Sequence, residues 1–554
     1  MNKQFANLIP PNARSIIEFV DEEIENLETT ELKEKYLQIN FNCDYKISNT
    51  FDIAIDNVDV MIFNSESFGR MTVKKLSSLI KKISQHLKDD GLMLFVLENV
   101  SYAENITALI EGKPPTVKAT MVFDELQEAI NAADMKSMKS FSTTHATSIK
   151  RAIAEVAETQ LDVNNHVSVV VKNSAAANLK KTLIQSYLGE VLVCANIRVN
   201  EPNNFIAAKP NVFTTSTKSG DTLSLYKKND YDAKIFINQR VSSETFEKGL
   251  DMFDNISKRG YLFIEEMDDN PILWRQKYEE IKFISFIGCH AIQTSTNVLV
   301  DFFKQFNPNV KVFENQLKEL PPRRDFKAEI AKREPITVFF GALNRDKDFA
   351  EILPAVNKIA ADYGENILFK VIAKTQLFDS IESRNKIMIG KKEIYNGQYV
   401  PYEEYEQALR TSHIALLPLR DNLFNRSKSD LKFIECAGNG AVVLASPTVY
   451  AKTVRDGENG FIYHDVKEFY DKFKILINNQ NKRMQMAENA YEYVKNNRLL
   501  SQHYLERWNW YQELIARLPE LNEEAQKRIE LLKSKGVEAF GGFSETDSAV
   551  DFTM

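Results

Sequence analysis

The polar residues best suited to chemistry fall in one run, residues 424–440, where basic and hydroxyl side chains precede an apolar, small-residue segment. The run combines the basic residues Arg426 and Lys428 with Ser427, Ser429 and Glu435. A helix capped here by Ser427 or Ser429 would present free backbone N–H groups and the positive end of its dipole, a suitable site for a diphosphate. Glu435 could then accept hydrogen bonds from ribose hydroxyls. A capped surface helix with solvated charges is the alternative, and the run alone does not decide between the two.

A second loop with possible catalytic groups follows the apolar segment 336–340, which is predicted to be a buried strand that closes on Gly341. This loop carries Arg345 and Lys347. A flexible, solvated turn is the alternative.

The composition allows several domains to position these loops, since 554 residues correspond to about 3.7 domains at roughly 150 residues each. Hydrophobic residues make up 44% and charged residues 27%, as in a globular chain. The net charge of −7 argues against a surface built to bind nucleic acid. The 4 cysteines are far apart, with no spacing typical of a zinc or redox site.

The chain also lacks the usual sequence signals for membranes and export. No apolar run approaches the ~20 residues that a membrane-spanning helix needs, and the first residues do not resemble a signal peptide. Together with the cysteine pattern, these observations predict a cytoplasmic protein without a membrane span.

Strand and helix signals alternate through three blocks of the chain, which predicts the α/β class. In the first block, residues 1–175, a helical segment is followed by Asp89, Asp90 and Gly91, which are expected to form a turn before a strand at 92–97. In the second block, residues 176–325, the segments 191–195 and 260–266 are predicted strands.

The third block, residues 326–497, is predicted to contain strands at 336–340, 367–373, 413–419 and 441–446. The proline-rich segment 321–324 is predicted to be an extended linker between the second and third blocks. Since ligands bind at the carboxyl ends of such sheets, the two blocks suggest a cleft enzyme.

In this context, the run at 424–440 resembles the donor-binding domain of the GT-B glycosyltransferases, in particular the large retaining family 4. That family pairs a glutamate at the helix start with a second one eight positions later, and here Ser427 and Glu435 stand at these positions. The resemblance implies that Glu435 holds the ribose of the nucleotide. Many relatives carry instead an Asn…Lys-Ser…Lys…Glu pattern, which this chain reproduces with Asn425, Lys428, Ser429, Lys432 and Glu435.

The resemblance extends to the loop after Gly341, where relatives carry an arginine and a lysine that bind the pyrophosphate. Lys347 stands six residues after Gly341, as in the family, whereas Ala342 replaces the arginine and Arg345 is the expected substitute. In the second block, His290 lies where some relatives place an active-site histidine.

The fold implied by these resemblances consists of two Rossmann-like domains in the GT-B arrangement, preceded by a third α/β domain. A nucleotide-diphospho-sugar would bind the third block and the acceptor the second, with retention of configuration and with no cofactor or metal. The acceptor would be a glycan, a lipid-linked sugar or a surface protein such as flagellin. A non-catalytic scaffold in surface-glycan or flagellin modification is the alternative function.

Other polar residues of the second block extend this picture. Asp268 and Asp269 follow a predicted strand, and we interpret them as a solvated turn rather than as metal ligands. The residues that follow strand signals and could face the cleft are Asn196, Arg198, Gln239 and Arg240.

At the C-terminus, an apolar stripe predicts a helix within residues 498–521, formed by Leu500, Tyr504, Trp508, Tyr511 and Ile515. By analogy with GT-B enzymes, this helix is expected to cross back and pack on the second block; a helix that lies wholly on the third block is the alternative. Residues 522–554 are expected to form a polar tail.

The first block resembles a class I methyltransferase in its order of elements and in the predicted turn at 87–94. That family has a glycine-rich loop after its first strand because only glycine lets the backbone approach the cofactor. Here the corresponding segment, residues 18–25, is rich in carboxylates and has no glycine. We therefore expect a degenerate, non-catalytic domain; a bifunctional methyltransferase and glycosyltransferase is the alternative.

Overall fold

The structure, a computed structural model, describes residues 6–21, 27–51, 53–98, 123–144, 163–189, 192–326, 334–341, 345–372, 376–390 and 400–543. The chain divides into two compact units. The first comprises residues 1–183, 203–214 and 231–233, and the second comprises 184–202, 215–230 and 234–554.

The first sheet lies in the first unit and has the strand order β2-β1-β3-β4-β6-β5. Its strands are β1 (Ser15–Phe19), β2 (Asp44–Ser48), β3 (Val58–Phe63), β4 (Leu87–Glu98), β5 (Met135–Thr144) and β6 (Val163–Lys172). Its helices are α1 (Glu31–Ile39), α2 (Glu66–Gly69), α3 (Val73–Ile83), α4 (Phe123–Ala132) and α5 (Asn173–Ala176). Strands β1 to β4 pair in parallel, whereas β6 is antiparallel to both β4 and β5.

The turn predicted at Gly91 is wrong, because Gly91 lies inside the strand β4. Between Val58 and Val60 of β3, the paired residues of β4 advance from Leu87 to Leu92, so β4 bulges at this point. A Cβ atom on Gly91 would lie 2.8 Å from Cγ of Leu87, which explains the glycine in this bulge. Gly91 is therefore needed because the Leu87 side chain lies close to its Cα atom within the strand, and it does not end a helix.

The second sheet has the strand order β12-β11-β10-β9-β7-β8, and the boundary between the two units passes through β7, β8 and the first residue of β9. Its strands are β7 (Thr182–Leu188), β8 (Val212–Lys218), β9 (Ala233–Gln239), β10 (Tyr261–Glu266), β11 (Ala291–Thr294) and β12 (Val310–Val312). The accompanying helices are α6 (Leu192–Ala195), α7 (Glu201–Ile206), α8 (Phe246–Lys258), α9 (Arg275–Glu280), α10 (Ile284–Gly288) and α11 (Asn297–Phe303). Strands β9 to β12 are parallel.

The strand predicted at 191–195 is also wrong. Residues 192–195 form the helix α6, which continues into a π-helical turn over Asn196–Asn200. A short apolar run such as this one is compatible with either a strand or a buried helix, so its periodicity does not decide between them.

The third sheet is parallel throughout and has the order β15-β14-β13-β16-β17-β18. Its strands are β13 (Ile336–Phe340), β14 (Ile367–Ile372), β15 (Lys386–Ile389), β16 (Ile414–Leu417), β17 (Val442–Ala445) and β18 (Phe461–Ile462). Its helices are α12 (Asp346–Ala350), α13 (Leu353–Tyr363), α14 (Gln376–Ser380), α15 (Tyr402–Arg410), α16 (Leu423–Arg426), α17 (Leu431–Gly438), α18 (Pro447–Tyr450), α19 (Val466–Asn478) and α20 (Gln480–Asn497). The apolar strands join one buried cluster with α13 and α19, as expected for a parallel sheet covered on both faces. The predicted α/β class, with several mainly parallel sheets, is confirmed.

Two long helices follow the third sheet: α21 (Leu500–Ala516) and α22 (Leu518–Lys535). Helix α21 contacts the second sheet, since the hydroxyl of Tyr511 donates to Oε1 of Gln293 at 2.8 Å and the ring of Trp510 lies 5.5 Å from that of Phe313. Among the described residues, no helix is both long enough and apolar enough to cross a membrane.

The polar tail predicted from residue 522 is wrong, because α22 packs against α10 with a buried apolar face. This face consists of Leu521, Ala525, Ile529 and Leu532, and Arg528 donates to the carbonyl oxygens of Ile287 and Cys289 at 2.9 and 2.6 Å. The charged residues between the four apolar ones conceal their helical spacing in the sequence.

The packing of α22 predicts that Ile529→Asp destabilises the protein by about 3 kcal/mol or more, because it buries a charge and removes an apolar side chain. Thermal unfolding of the full chain measures the change. Gln526→Asp, which introduces the same charge on the exposed side of α22, is the control and should unfold close to the wild type. Equal melting temperatures for the two variants would contradict the observed packing.

Candidate functional site

The run at 424–440 folds as the short helix α16, a turn, and the helix α17. Neither serine caps α17; its N-cap position is Asp430, whose side chain binds Arg498 at 2.6 and 2.8 Å instead of capping the helix. The predicted capping by Ser427 or Ser429 is therefore wrong.

The two serine hydroxyls instead connect this turn to the second block. Ser427 Oγ accepts a hydrogen bond from Nδ2 of Asn270 at 3.0 Å, and Ser429 Oγ accepts one from Nδ2 of Asn315 at 2.8 Å. The carbonyl of Ser427 also accepts from the hydroxyl of Thr296 at 3.1 Å. The candidate donor-binding run is thus held against the ends of β10, β11 and β12.

Arg345 and Asn425, predicted from separate loops, lie side by side in the structure. Nη1 of Arg345 donates to Oδ1 of Asn425 at 2.7 Å and to Oδ2 of Asp348 at 3.1 Å. Nδ2 of Asn425 in turn donates to Oδ1 of Asp348 at 3.0 Å. This network fixes the guanidinium beside the turn that carries Lys428.

The other two residues predicted from the 341–348 loop, Gly341 and Lys347, differ in their exposure. Lys347 is exposed on α12, and Ala342 lies outside the described residues. Gly341 is buried at the end of β13, and a Cβ atom there would lie 1.9 Å from Cε1 of Phe339, so a larger residue would clash with that ring.

Glu435 is nearly buried, with 4% of its surface exposed, and one of its oxygens receives both side-chain hydrogen bonds. Oε2 accepts from the hydroxyl of Tyr405 at 2.7 Å and from Nζ of Lys432 at 3.0 Å. Burial, followed by the negative charge of Glu435, raises the pKa of Tyr405 well above its usual range, so the hydroxyl remains a donor. Oε1 of Glu435 has no hydrogen-bond partner among the described residues. The arrangement orients a carboxylate with one oxygen available as an acceptor.

Lys428 faces the second block. Its ammonium pairs with Asp269 and lies 4.2 Å from the ring centroid of Phe424. Burial lowers the pKa of Lys428, as do the positive charges of Arg345 and Arg240, whereas Asp269 opposes this shift. The lysine is therefore a partly desolvated cation whose charge is opposed by two arginines and stabilised by Asp269.

The Asp268–Asp269 pair is not a solvated turn, because both carboxylates are largely buried and ion-paired. Arg240 donates from Nε to Asp268 and from Nη2 to Asp269, each at 2.6 Å. Among the described residues, no cluster of three or more histidine, cysteine or acidic side chains could hold a metal ion.

Arg198, which we expected to face the cleft, is fully buried beneath it. Its guanidinium donates to Glu266 at 2.8 and 3.4 Å, to the carbonyl of Phe313 at 2.6 Å and to Oδ1 of Asn315 at 2.8 Å. Because Asn315 also donates to Ser429, the buried pair positions a residue that contacts the candidate site. Arg198 is a positioning residue rather than a ligand contact.

His290 is also buried, and both of its ring nitrogens have partners within the second block and α22. Nδ1 accepts from the backbone N–H of Phe263 at 2.8 Å, and Nε2 lies 3.2 Å from Oδ1 of Asn522. Burial lowers the pKa of His290 to about 4, so the ring is neutral at neutral pH. The structure assigns it a structural role, which corrects the catalytic prediction.

Sequence reasoning missed Tyr405, Asp269 and Asn315 as parts of this site. Tyr405 lies on α15, and its bond to Glu435 joins residues 30 positions apart. The pair of Lys428 and Asp269 spans 159 positions. Such contacts carry no local sequence signal.

Residues 370–509, from within β14 to within α21, match a family model described as glycosyl transferase-like. The similarity to that family extends over this segment of the chain. The matched segment contains Tyr405, Lys428 and Glu435, and it confirms the glycosyltransferase prediction at the level of this domain. No curated protein sequence matches the chain.

Solved structures similar to this chain include sucrose-phosphate synthase from Thermosynechococcus elongatus, at 12% identity and a TM-score of 0.44, over 60% of this chain and 99% of that one. HepE from Anabaena, in complex with UDP-glucose, has 11% identity and a TM-score of 0.41, over 59% and 99%. WaaG, a glycosyltransferase involved in lipopolysaccharide biosynthesis, has 12% identity and a TM-score of 0.40, over 59% and 98%.

The buried ion pair predicts that Arg198→Met destabilises the protein by about 3–5 kcal/mol, because Glu266 becomes a buried charge without its partner. Burial raises the pKa of Glu266, and without Arg198 nothing equally close opposes that shift. The folded variant then holds a proton that the unfolded chain releases, so its stability falls as the pH rises.

Urea unfolding of the wild type, Arg198→Met and Arg198→Met/Glu266→Gln at pH 5 and pH 8 checks this prediction. The double variant should recover part of the loss, and the defect of the single variant should be larger at pH 8. A defect of the same size at both pH values would show that Glu266 is not the cause.

Proposed function

We propose that the protein transfers a sugar from a nucleotide-diphospho-sugar, held by the third block, to an acceptor on the second block. The observation that carries this proposal is Glu435, a nearly buried carboxylate oriented by Tyr405 and Lys432 within the glycosyl transferase-like domain. Its Oε1 atom is suited to accept hydrogen bonds from ribose hydroxyls. A non-catalytic scaffold is not favoured, since it would not need this arrangement.

In this proposal, Arg345 and Lys428 bind the diphosphate at the turn before α17. The transition state of glycosyl transfer resembles an oxocarbenium ion and leaves negative charge on the departing phosphate. Fixed cations in a partly desolvated site stabilise that charge without reorganising. Asn425 keeps Arg345 in place, and exposed Lys347 is positioned to approach the donor from α12. We propose retention of configuration from the resemblance of the 424–440 run to a retaining family, and no metal requirement because these cations can neutralise the departing phosphate.

The acceptor, which we propose to be a glycan, a lipid-linked sugar or a surface protein such as flagellin, would approach the carboxyl ends of β9 and β10. Ligands bind at this edge of open α/β sheets. Here the edge carries Arg240 and Asp269, directly opposite Lys428. We expect this reaction in the cytoplasm, where nucleotide-sugars are made.

The test of this function is donor binding by the Glu435→Gln variant. A thermal-shift panel of nucleotide-sugars identifies the donor, since a ligand at 100 times its dissociation constant stabilises a protein by about 2.7 kcal/mol. Calorimetry should then show a loss of about 1.5–3 kcal/mol in the variant, because hydrogen bonds to a charged carboxylate are lost.

Glu403→Gln, an exposed glutamate on α15, is the matched control and should bind like the wild type. Release of nucleoside diphosphate by the wild type, with and without added glycan acceptors, then tests turnover. Unchanged donor affinity in Glu435→Gln would refute the assignment of the ribose site.

We further propose that the first block is a methyltransferase-like domain used for architecture rather than catalysis. Support comes from its sheet, in which an antiparallel strand, β6, is inserted between β4 and β5 at one end of a parallel sheet. Glu18, near the carboxyl end of β1, is fully buried and already bonded to Thr30, Tyr45 and Asn64, at 2.6, 3.0 and 2.9 Å. The carboxylate of Glu18, at the position where a cofactor would bind in that family, is thus already occupied by hydrogen bonds within the protein.

The full chain should therefore not bind S-adenosylmethionine, the cofactor of that family. Isothermal calorimetry checks this expectation directly, with a nucleotide-sugar identified by the thermal-shift panel as the positive control for active protein. Micromolar binding of S-adenosylmethionine would overturn the non-catalytic assignment and favour a bifunctional enzyme.

A further inference from the structure

One ion pair in the second unit connects the candidate donor site with the opposite block. The ammonium of Lys428 pairs with Oδ1 of Asp269, while Oδ2 of Asp269 accepts from Arg240 at 2.6 Å. Lys428 comes from the turn before α17, and Asp269 follows β10. The exposed fractions of the two side chains are 22% and 13%, so solvent screens the pair only in part.

The charged groups around this pair form one connected network. The carboxylates of Asp268, Asp269 and Asp348 pair with Arg240, Lys428 and Arg345, and Asp348 also lies 3.6 Å from Arg420. Asp348 is shared with Asn425 and belongs to the network that fixes Arg345, and Asp268 contacts Arg240. Of the three carboxylates, Asp269 is the one that contacts Lys428.

A carboxylate on Lys428 has the same chemistry as a phosphate oxygen of a nucleoside diphosphate, because both are anionic oxygens that accept charge-assisted hydrogen bonds from an ammonium. We propose that Asp269 is the internal counter-anion of the donor site, and that the diphosphate displaces it from Lys428 on binding. This inference rests on the proposed function.

The displacement has a structural consequence for the two blocks. Lys428 is held to the second block by Asp269, and its neighbours Ser427 and Ser429 are held by Asn270 and Asn315. Exchange of Asp269 for a diphosphate removes the charged contact and leaves the neutral ones. It also frees Oδ1 of Asp269, whose Oδ2 stays paired with Arg240, at the edge of the second sheet where the proposed acceptor approaches. Donor binding thereby makes this carboxylate oxygen available to the acceptor.

The test compares Asp269→Asn with Asp268→Asn in the full-length protein. Asp269→Asn removes the competing charge and keeps the side-chain shape, so Lys428, beside two arginines, becomes an uncompensated cation. Asp268→Asn removes the same charge from the adjacent residue, which binds Arg240 and has no contact with Lys428. The two variants thus alter the net charge equally and differ in the pair with Lys428.

Calorimetry with inorganic pyrophosphate, UDP, GDP and ADP as probes measures the effect, and melting temperatures verify that each variant is folded. Asp269→Asn should bind pyrophosphate and the preferred nucleotide about fivefold more tightly or better, and the gain should shrink as the salt concentration rises. The gain should be similar for pyrophosphate and the nucleotide, because Asp269 competes at the diphosphate alone. Asp268→Asn should remain within about twofold of the wild type.

Unchanged or weaker binding by folded Asp269→Asn, while the wild type binds a nucleotide, would overturn the inference and leave the proposed function intact. An equal gain in both variants would also overturn it, since the effect would then come from net charge rather than from the pair. Failure of all three proteins to bind any probe at millimolar concentration would refute the proposed function and the inference together.

Discussion

The buried guanidinium of Arg198 is the interaction on which the geometry of the second unit depends. One side chain joins the end of β10 through Glu266 and the segment after β12 through Phe313 and Asn315. The backbone carbonyl of Arg198 accepts from Arg507, which ties α21 to the same point at 2.8 Å. A buried charge is tolerated only when it is paired and fully hydrogen-bonded, so these segments must meet in one arrangement.

The side-chain amide of Asn315 connects Arg198 with the candidate site. Asn315 accepts from Arg198 on one side and donates to Ser429 on the other, and its carbonyl accepts from Arg498, which in turn binds Asp430. The turn that begins α17 is therefore set by contacts made outside the third sheet. Its position relative to β10 depends on this buried pair and on the direct contacts that Asn270 and Asp269 make with Ser427 and Lys428, rather than on the local helix signals of the run.

The sequence predicted the parts of this architecture that depend on local pattern. The buried strands of the third sheet are continuous apolar segments, and β13, β14, β16 and β17 lie where expected. The element at 192–195 and the helix α22 were missed, the first because a short apolar run fits two structures and the second because charges mask its apolar spacing. In the site, Glu435 and Lys428 were identified by residue type and spacing, whereas Asp269 was found only through the fold. His290 was predicted as an active-site residue from its position in the sequence, but that position does not reveal that the side chain is buried.

The measurement that tests the central claim most directly is hydrogen–deuterium exchange of the full chain with and without a nucleotide-sugar that stabilises it. The account predicts slower exchange in residues 423–438, which carry Lys428 and Glu435, and in residues 345–350 beside Arg345. Protection confined to the first sheet, or to surfaces of the second unit away from α12, α16 and α17, would contradict a donor site built on these residues.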